Sequence, residues 1–292
     1  MISRRDARAE GRSPQILADL ITSRRQTRMH RSAHRSFTIC LVLAMSAALL
    51  APASANAELI VNGGVEYFRW TENTTPQVKE TGPMGFIGLS YLQEKDAGVL
   101  FGYRGKIWGG SADYTGANLI TNAPLTSTTD YFGVNNELQA RYRKAGTNGG
   151  SLDGVFGLGL DLWRRELSSI QKEDYSIAYA RLGVESKANY GGQWTAGLGI
   201  KYPLWTYENA HFDKIGFDSN PILHPGKEFA PYGSIGYRFT PKFQVIGYYE
   251  GLRFDRSDPV ETTYVSTGQR VSLVQPASNM SIFGLRFEYI LR

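Results

Sequence analysis

The chain has one cysteine in 292 residues, Cys40, and only four histidines. One thiol cannot build a disulfide framework, and no Cys-based metal site is possible. Nowhere does an apolar run reach the ~20 residues that a membrane-spanning helix needs. Zinc spacings, phosphate loops, nucleotide fingerprints and EF-hand-like loops are also missing, so no cofactor and no metal is expected. Basic charge is scarcer than the total suggests. The whole chain carries 32 Lys+Arg against 27 Asp+Glu, a net of +5. Residues 1–57 hold nine arginines and three acids, a net of +6, which leaves 23 basic and 24 acidic residues for the rest. Beyond residue 57 no basic stripe remains to bind nucleic acid.

The leading segment has its own logic. Positive charge ending at Arg35 precedes an apolar run over residues 37–51. Ala55-Asn56-Ala57 then places small residues at −3 and −1, which predicts export and signal-peptide cleavage before Glu58. The expected division is an N-terminal extension and signal over 1–57, and one working domain over 58–292. Mean hydropathy is −0.30. That value suits a soluble protein, but it also suits a membrane β-barrel, in which only every second residue meets lipid.

What the mature chain does have is period two. Leu152, Phe156, Leu158, Leu160 and Leu162 share one parity, and Asp153, Gly157, Gly159, Asp161 and Arg165 share the other. A strand puts these sets on opposite faces. Ten such segments can be marked: 59–70, 82–94, 97–109, 130–144, 151–165, 174–188, 192–206, 228–239, 242–254 and 280–291. Most have the ~9–11 residues that a tilted strand needs to cross a bilayer. The connections alternate between short (94–97, 145–150, 189–191, 240–241) and long (71–81, 110–129, 166–173, 207–227, 255–279). The prediction is all-β: a closed antiparallel up-and-down transmembrane barrel of ten strands, with both termini on the short-turn side.

On this pattern, residues 58–292 resemble small bacterial outer-membrane β-barrel proteins of the OmpA/Opa-like, ten-stranded kind. Phe283, Leu285, Phe287, Tyr289 and Leu291 alternate to the end, similar to that family's C-terminal assembly signal, although Arg292 follows where an aromatic is usual. The resemblance implies an outer-membrane location, contact with membrane lipid and lipopolysaccharide, and use of the export and barrel-assembly machinery. The long loops would then be extracellular, with a ligand that the sequence does not identify.

The inward face should carry the charges Glu66, Arg104, Lys106, Glu137, Arg141, Asp161, Arg181, Glu185, Lys201, Arg238, Glu250, Arg286 and Glu288. Charges withdrawn from water are costly unless paired, so an interlocked, side-chain-filled lumen is expected. Trp70, Trp108, Trp163 and Trp205 fall near the ends of upward strands, and Phe254 takes the same place on the ninth. Their parity matches the charged face and predicts an inward collar at the outer mouth. A bulge that shifts parity by one residue would instead make them a lipid-facing girdle.

Three functions fit. The first is a structural or surface-interaction role through the loops, without enzymatic activity. The second is a narrow channel for ions or small solutes. The third is an omptin-like rim hydrolase in which His211 and Asp213 activate water. The order of that pair and the isolation of Asp113 match the omptin pattern poorly. His224, Asp218 and Ser219 look like loop composition and not a triad.

Overall fold

Alternating sequence becomes a barrel when its two edge strands can pair. The computed structural model describes residues 57–117, 123–146, 149–189 and 193–291. Apart from Ala57, the leading segment with its signal-peptide assignment lies outside the described residues.

Ten strands form a closed antiparallel sheet. They are β1 (Ala57–Glu72), β2 (Val78–Gln93), β3 (Gly98–Ala117), β4 (Pro124–Ala145), β5 (Ser151–Glu166), β6 (Lys172–Asn189), β7 (Gln193–Asn209), β8 (Ala230–Thr240), β9 (Phe243–Phe254) and β12 (Ser278–Ile290). Each pairs with its neighbour in sequence, apart from the step from β9 to β12. β1 and β12 close the barrel in a register running from Ile60↔Ile290 to Glu72↔Ser278. Closure leaves no free edge to recruit another chain.

Side chains alternate across the wall. Val65 (60% exposed), Ile87 (69%), Phe132 (60%) and Leu198 (65%) point outward, while Phe68 and Ile177 point inward and are fully buried. An outer face this apolar, continued around the wall, is built for lipid and not for water. The apolar belt runs from Leu59 to Tyr67 on β1, from Leu152 to Leu162 on β5 and from Phe283 along β12 to Leu291 just past its end, about the 9–11 residues of a tilted crossing. Aromatic rings edge it. Trp194, Tyr237, Phe239 and Phe243 make a chain of contacts at the short-turn side. Tyr249 packs on Phe283 at 4.9 Å and Trp205 on Tyr207 at 5.8 Å at the other side.

The strands do not stop at the belt. On the long-loop side the outward positions turn polar at Arg69, Ser111, Asp130, Arg164 and Arg253, yet pairing continues. β3 and β4 stay paired up to Ala117↔Pro124. Most of the expected 110–129 loop is therefore a projecting hairpin. The expected last loop, 255–279, likewise contains a second small sheet made of β10 (Val260–Tyr264) and β11 (Gln269–Leu273).

That hairpin and the 210–229 segment fold together into a cap. Ala210, Phe212, Phe217 and Leu223 form a small core against Ile215, Val260, Tyr264, Val271 and Leu273. Asp218 ties the two pieces. Its Oδ1 accepts from the Thr263 backbone N–H at 3.0 Å and from the Thr262 hydroxyl at 2.9 Å. Those bonds favour the ionised form and hold the Asp218 carboxyl down at about 2.

Candidate functional site

The inside of the barrel has three levels, and the sequence explains each. At the lowest level the inward residues are charged. All thirteen predicted network residues have partners of opposite charge. Lys106 meets Glu66 at 2.5 Å, and Lys201 meets Asp161 at 3.0 Å. Glu185 receives Arg141 at 2.6 Å and Arg104 at 3.3 Å. Arg181 lies between Glu250 (3.4 Å) and Glu137 (3.7 Å). Arg238 reaches Glu58 at 3.3 Å, and Arg286 reaches Glu288 at 2.8 Å. Asp153 joins through Arg143 at 2.7 Å. Tyr179 and Tyr248 each reach past one neighbouring strand to donate to Glu137 and Glu66. Their rings fit because Gly159 and Gly284 face them, where a Cβ would stand 2.2 and 2.3 Å from a ring carbon. Gaps of about 90, 40 and 20 Å³ remain among these side chains. Such spaces hold a few waters, since one water needs roughly 10–15 Å³ by this measure.

Above the charges lies an aromatic septum. Phe68, Trp70, Met84, Phe86, Trp108, Tyr131, Trp163, Tyr175, Ile177, Leu252, Phe254, Met280 and Ile282 form one buried cluster, drawn from eight of the ten barrel strands. Phe68 packs on Tyr131 at 4.6 Å, Trp163 stacks on Tyr175 at 4.9 Å, and Trp70 bridges Tyr175 and Phe254. Of the five predicted mouth aromatics, Trp70, Trp108, Trp163 and Phe254 point inward and are at most 5% exposed.

Trp205 is the exception and faces outward at 46% exposure. The cause is local. The β6–β7 register jumps from Ala178↔Trp205 to Tyr179↔Pro203, leaving Leu204 as an extra residue. Proline cannot donate to the ladder, and a bulge there reverses the parity of the residues after it. Trp70, Trp108, Trp163 and Phe254 thus face the lumen, and Trp205 alone of the five faces outward.

Above the septum the lumen widens into a vestibule under the cap, of about 680 Å³. Its floor lies beyond the lipid belt. Arg165 is at the centre, 4% exposed, and serves three carboxylates. It meets Glu72 at 3.0 Å, Glu173 at 2.7 Å, and Glu80 through Nε at 3.0 Å and through Nη2. Trp70 Nε1 donates to Glu72 at 2.9 Å, Tyr175 to Glu173 at 3.1 Å, and Tyr131 to Glu80. Glu208, 1% exposed, completes the set because the bulge at Leu204 turns it inward. Among the described residues no basic side chain pairs with it. With its amide nitrogen turned toward the carboxylate, Gln275 donates at 3.1 and 3.3 Å. Burial, with Glu173 and Glu72 alongside, holds the Glu208 carboxyl well above the usual carboxylate range. The walls are largely apolar and include Val78, Tyr114, Phe212, Leu223 and Leu273.

None of these four glutamates belongs to the predicted network. Glu72, Glu80 and Glu173 continue the inward parity of their strands past the expected strand ends. Extending the alternation through the polar exterior would have found them. Glu208 has the wrong parity until the bulge is known.

The expected His211–Asp213 pair does not form. His211 Nε2 bonds Asp174 Oδ2 on the barrel's outer wall at 2.9 Å, and Asp213 pairs with Lys214. Arg164 already grips Asp174 with two bonds of 2.7 and 2.9 Å. His224 Nδ1 lies 2.6 Å from the carbonyl oxygen of Thr206. Both histidines fasten the 210–229 segment to the strands below it. Among the described residues no group of three or more His, Cys, Asp or Glu is spaced to hold a metal ion.

No family model matches the chain, and no curated protein matches it. Solved structures similar in fold are outer-membrane proteins. The outer membrane protease OmpT from Escherichia coli aligns with a TM-score of 0.47 at 10% identity, covering 81% of this chain and 96% of its own. The COG4313 outer membrane channel from Pseudomonas putida gives 0.39 and 13%, covering 82% and 97%. Ail, the attachment invasion locus protein of Yersinia pestis, gives 0.25 and 9%, covering 80% and 99%. Identities this low extend only to the barrel architecture.

Proposed function

We propose that this outer-membrane barrel is a sealed platform for recognition at the cell surface, with the folded cap and the vestibule beneath it as the recognising part. One observation carries the reading: a septum of packed aromatic rings separates the vestibule from the charge-filled lumen. No residue that lines the vestibule also lines the small gaps below. A conducting pore needs continuity, and a recognition site needs a concave, partly apolar surface held by rigid elements. The cap has its own apolar core, which suits it to hold a fixed shape.

The partners follow from position. The apolar belt favours membrane lipid. Arg69, exposed just above the belt, stands where lipopolysaccharide headgroups would lie. The alternating C-terminal strand supports passage through the barrel-assembly machinery. A rim hydrolase has less support, because the His211 imidazole and the Asp174 carboxylate are engaged in holding a loop to the wall.

The test is electrical. Purified protein in a planar bilayer should give no discrete conductance steps. Regular steps from the wild-type chain would overturn the sealed reading in favour of the channel.

A further inference from the structure

The vestibule floor is unusual in what it leaves unbalanced. Three carboxylates, Glu72, Glu80 and Glu173, share the Arg165 guanidinium, and a fourth, Glu208, has no cationic partner among the described residues. All four are at most 8% exposed. Buried carboxylates normally come with matching cations, and the charges below the septum obey that rule. The deficit lies where a ligand could make it good, at the bottom of a cavity whose volume falls within the ~300–1,000 Å³ of small-molecule sites.

A second observation is independent of the glutamates. Ser278 sits directly opposite Glu72 across the β1–β12 seam, inward-facing and 1% exposed. Its hydroxyl has no hydrogen-bond partner. An unused polar group thus stands next to Glu72, at the edge of a floor where Glu72, Glu173 and Glu208 line the vestibule with Arg165 as their only cation among its lining residues. A bare metal ion fits poorly. Arg165 already occupies oxygens of three of the carboxylates, and no metal-like grouping is present among the described residues. The apolar walls argue further, because they have nothing to offer a hydrated ion and much to offer a hydrocarbon body.

We propose that the vestibule binds a small organic ammonium ion with an apolar body, its cationic head beside Glu208 and Glu173 and its apolar part against Phe212, Leu223 and Leu273. This rests on the reading of the barrel as a sealed recognition platform, and it names the ligand class of that same cavity. A cation entering beside Glu208 gives a carboxyl that burial holds toward its protonated form an opposite charge against which to ionise. The ammonium N–H groups gain charge-assisted bonds to the buried carboxylates. Discrimination should therefore be strong: a neutral molecule of the same shape would leave the carboxylates as it found them.

The experiment is calorimetric titration of the full chain, refolded in detergent, with phenethylammonium chloride. The expected result is saturable binding, with 2-phenylethanol at least tenfold weaker and Glu208→Gln at least tenfold weaker for the amine. Heat-modifiable migration on gels reports that the variant is folded. If Glu208→Gln does not fold, Leu273→Trp narrows the apolar wall without touching a carboxylate and should reduce amine binding by a similar factor. Equal affinity for the amine and the alcohol would overturn the proposal. So would undiminished binding by the variants, absence of binding, or calcium chloride displacing the amine at equal concentration. Conductance is measured on the same preparation. A barrel that conducts defeats the sealed reading, whereas a sealed barrel that ignores the amine defeats only this inference.

Discussion

Below the septum and above it, the same wall handles charge in two ways. In the lower lumen acids and bases interleave. Glu185 lies between Arg141 and Arg104, and Arg181 lies between Glu137 and Glu250, so the charges largely cancel locally. In the vestibule a single Arg165 answers three glutamates, and Glu208 beside them has no basic partner among the described residues. Both regions are buried, so desolvation penalises both. The difference lies in what each is for. Paired charges fill space and lock strands to one another across the lumen. An unpaired buried carboxyl such as Glu208 is held toward its protonated form by burial and by Glu173 and Glu72 alongside. The buried aromatic cluster lies between the two regimes, and no lining residue is common to the vestibule and the gaps below it.

The largest effect should come from removing that division. Trp70→Ala combined with Phe254→Ala should destabilise the barrel by several kcal/mol, since each buried aromatic truncation costs about 3–5 kcal/mol. Urea unfolding in vesicles measures the loss. The same double variant should show conductance steps that the wild type lacks. A folded, still silent double variant would place the seal in the charge network instead.

Next in size is Arg165→Ala. It strands Glu72, Glu80 and Glu173 together and should cost about 3–5 kcal/mol, the usual penalty for breaking a buried ion pair. Lowering the pH should restore part of that stability by protonating the carboxylates. In the lower lumen Lys201→Met removes only one of many interlocked pairs and should cost less. Equal losses from the two would erase the proposed contrast.

A smaller effect is expected at the wall. His211→Ala releases the 210–229 segment from Asp174, a part-exposed contact worth ~1 kcal/mol or less. Hydrogen exchange should quicken at residues 210–216 and stay unchanged in β1 and β12. The smallest effect is the acid response of the cap. Asp218 is depressed to about 2 in the folded chain, below the ~3.9 of a free aspartate. Its contribution is therefore fully present above pH ~4 and is lost as pH falls through about 2. Amide exchange at Thr263 should rise over that window and no earlier.

How much of this the sequence revealed depends on contrast between faces. Within the belt, lipid outside and charge inside make period two unmistakable. The ten strands and the inward placement of residues such as Glu66, Arg181 and Glu250 could be read there directly. Beyond the belt both faces are polar, so the alternation through Arg69, Trp70, Thr71 and Glu72 loses its signal although the strand goes on. The vestibule floor was hidden for that reason. The β10–β11 hairpin was hidden by length, because five-residue strands carry too few alternations. The His211–Asp174 contact joins residues 37 positions apart, and no local pattern encodes it.

The extra residue at Leu204 also matters beyond the orientation of Trp205. It works as a frameshift written into three dimensions. Every residue from there to the end of β7 is delivered to the opposite side of the wall. Trp205 and Tyr207 go to the lipid edge, and Thr206 and Glu208 go to the interior. A one-residue deletion at this point would exchange these two sets without altering the order of a single amino acid. Insertions and deletions, more than substitutions, are thus the economical way for such a barrel to retune its mouth while the wall stays intact.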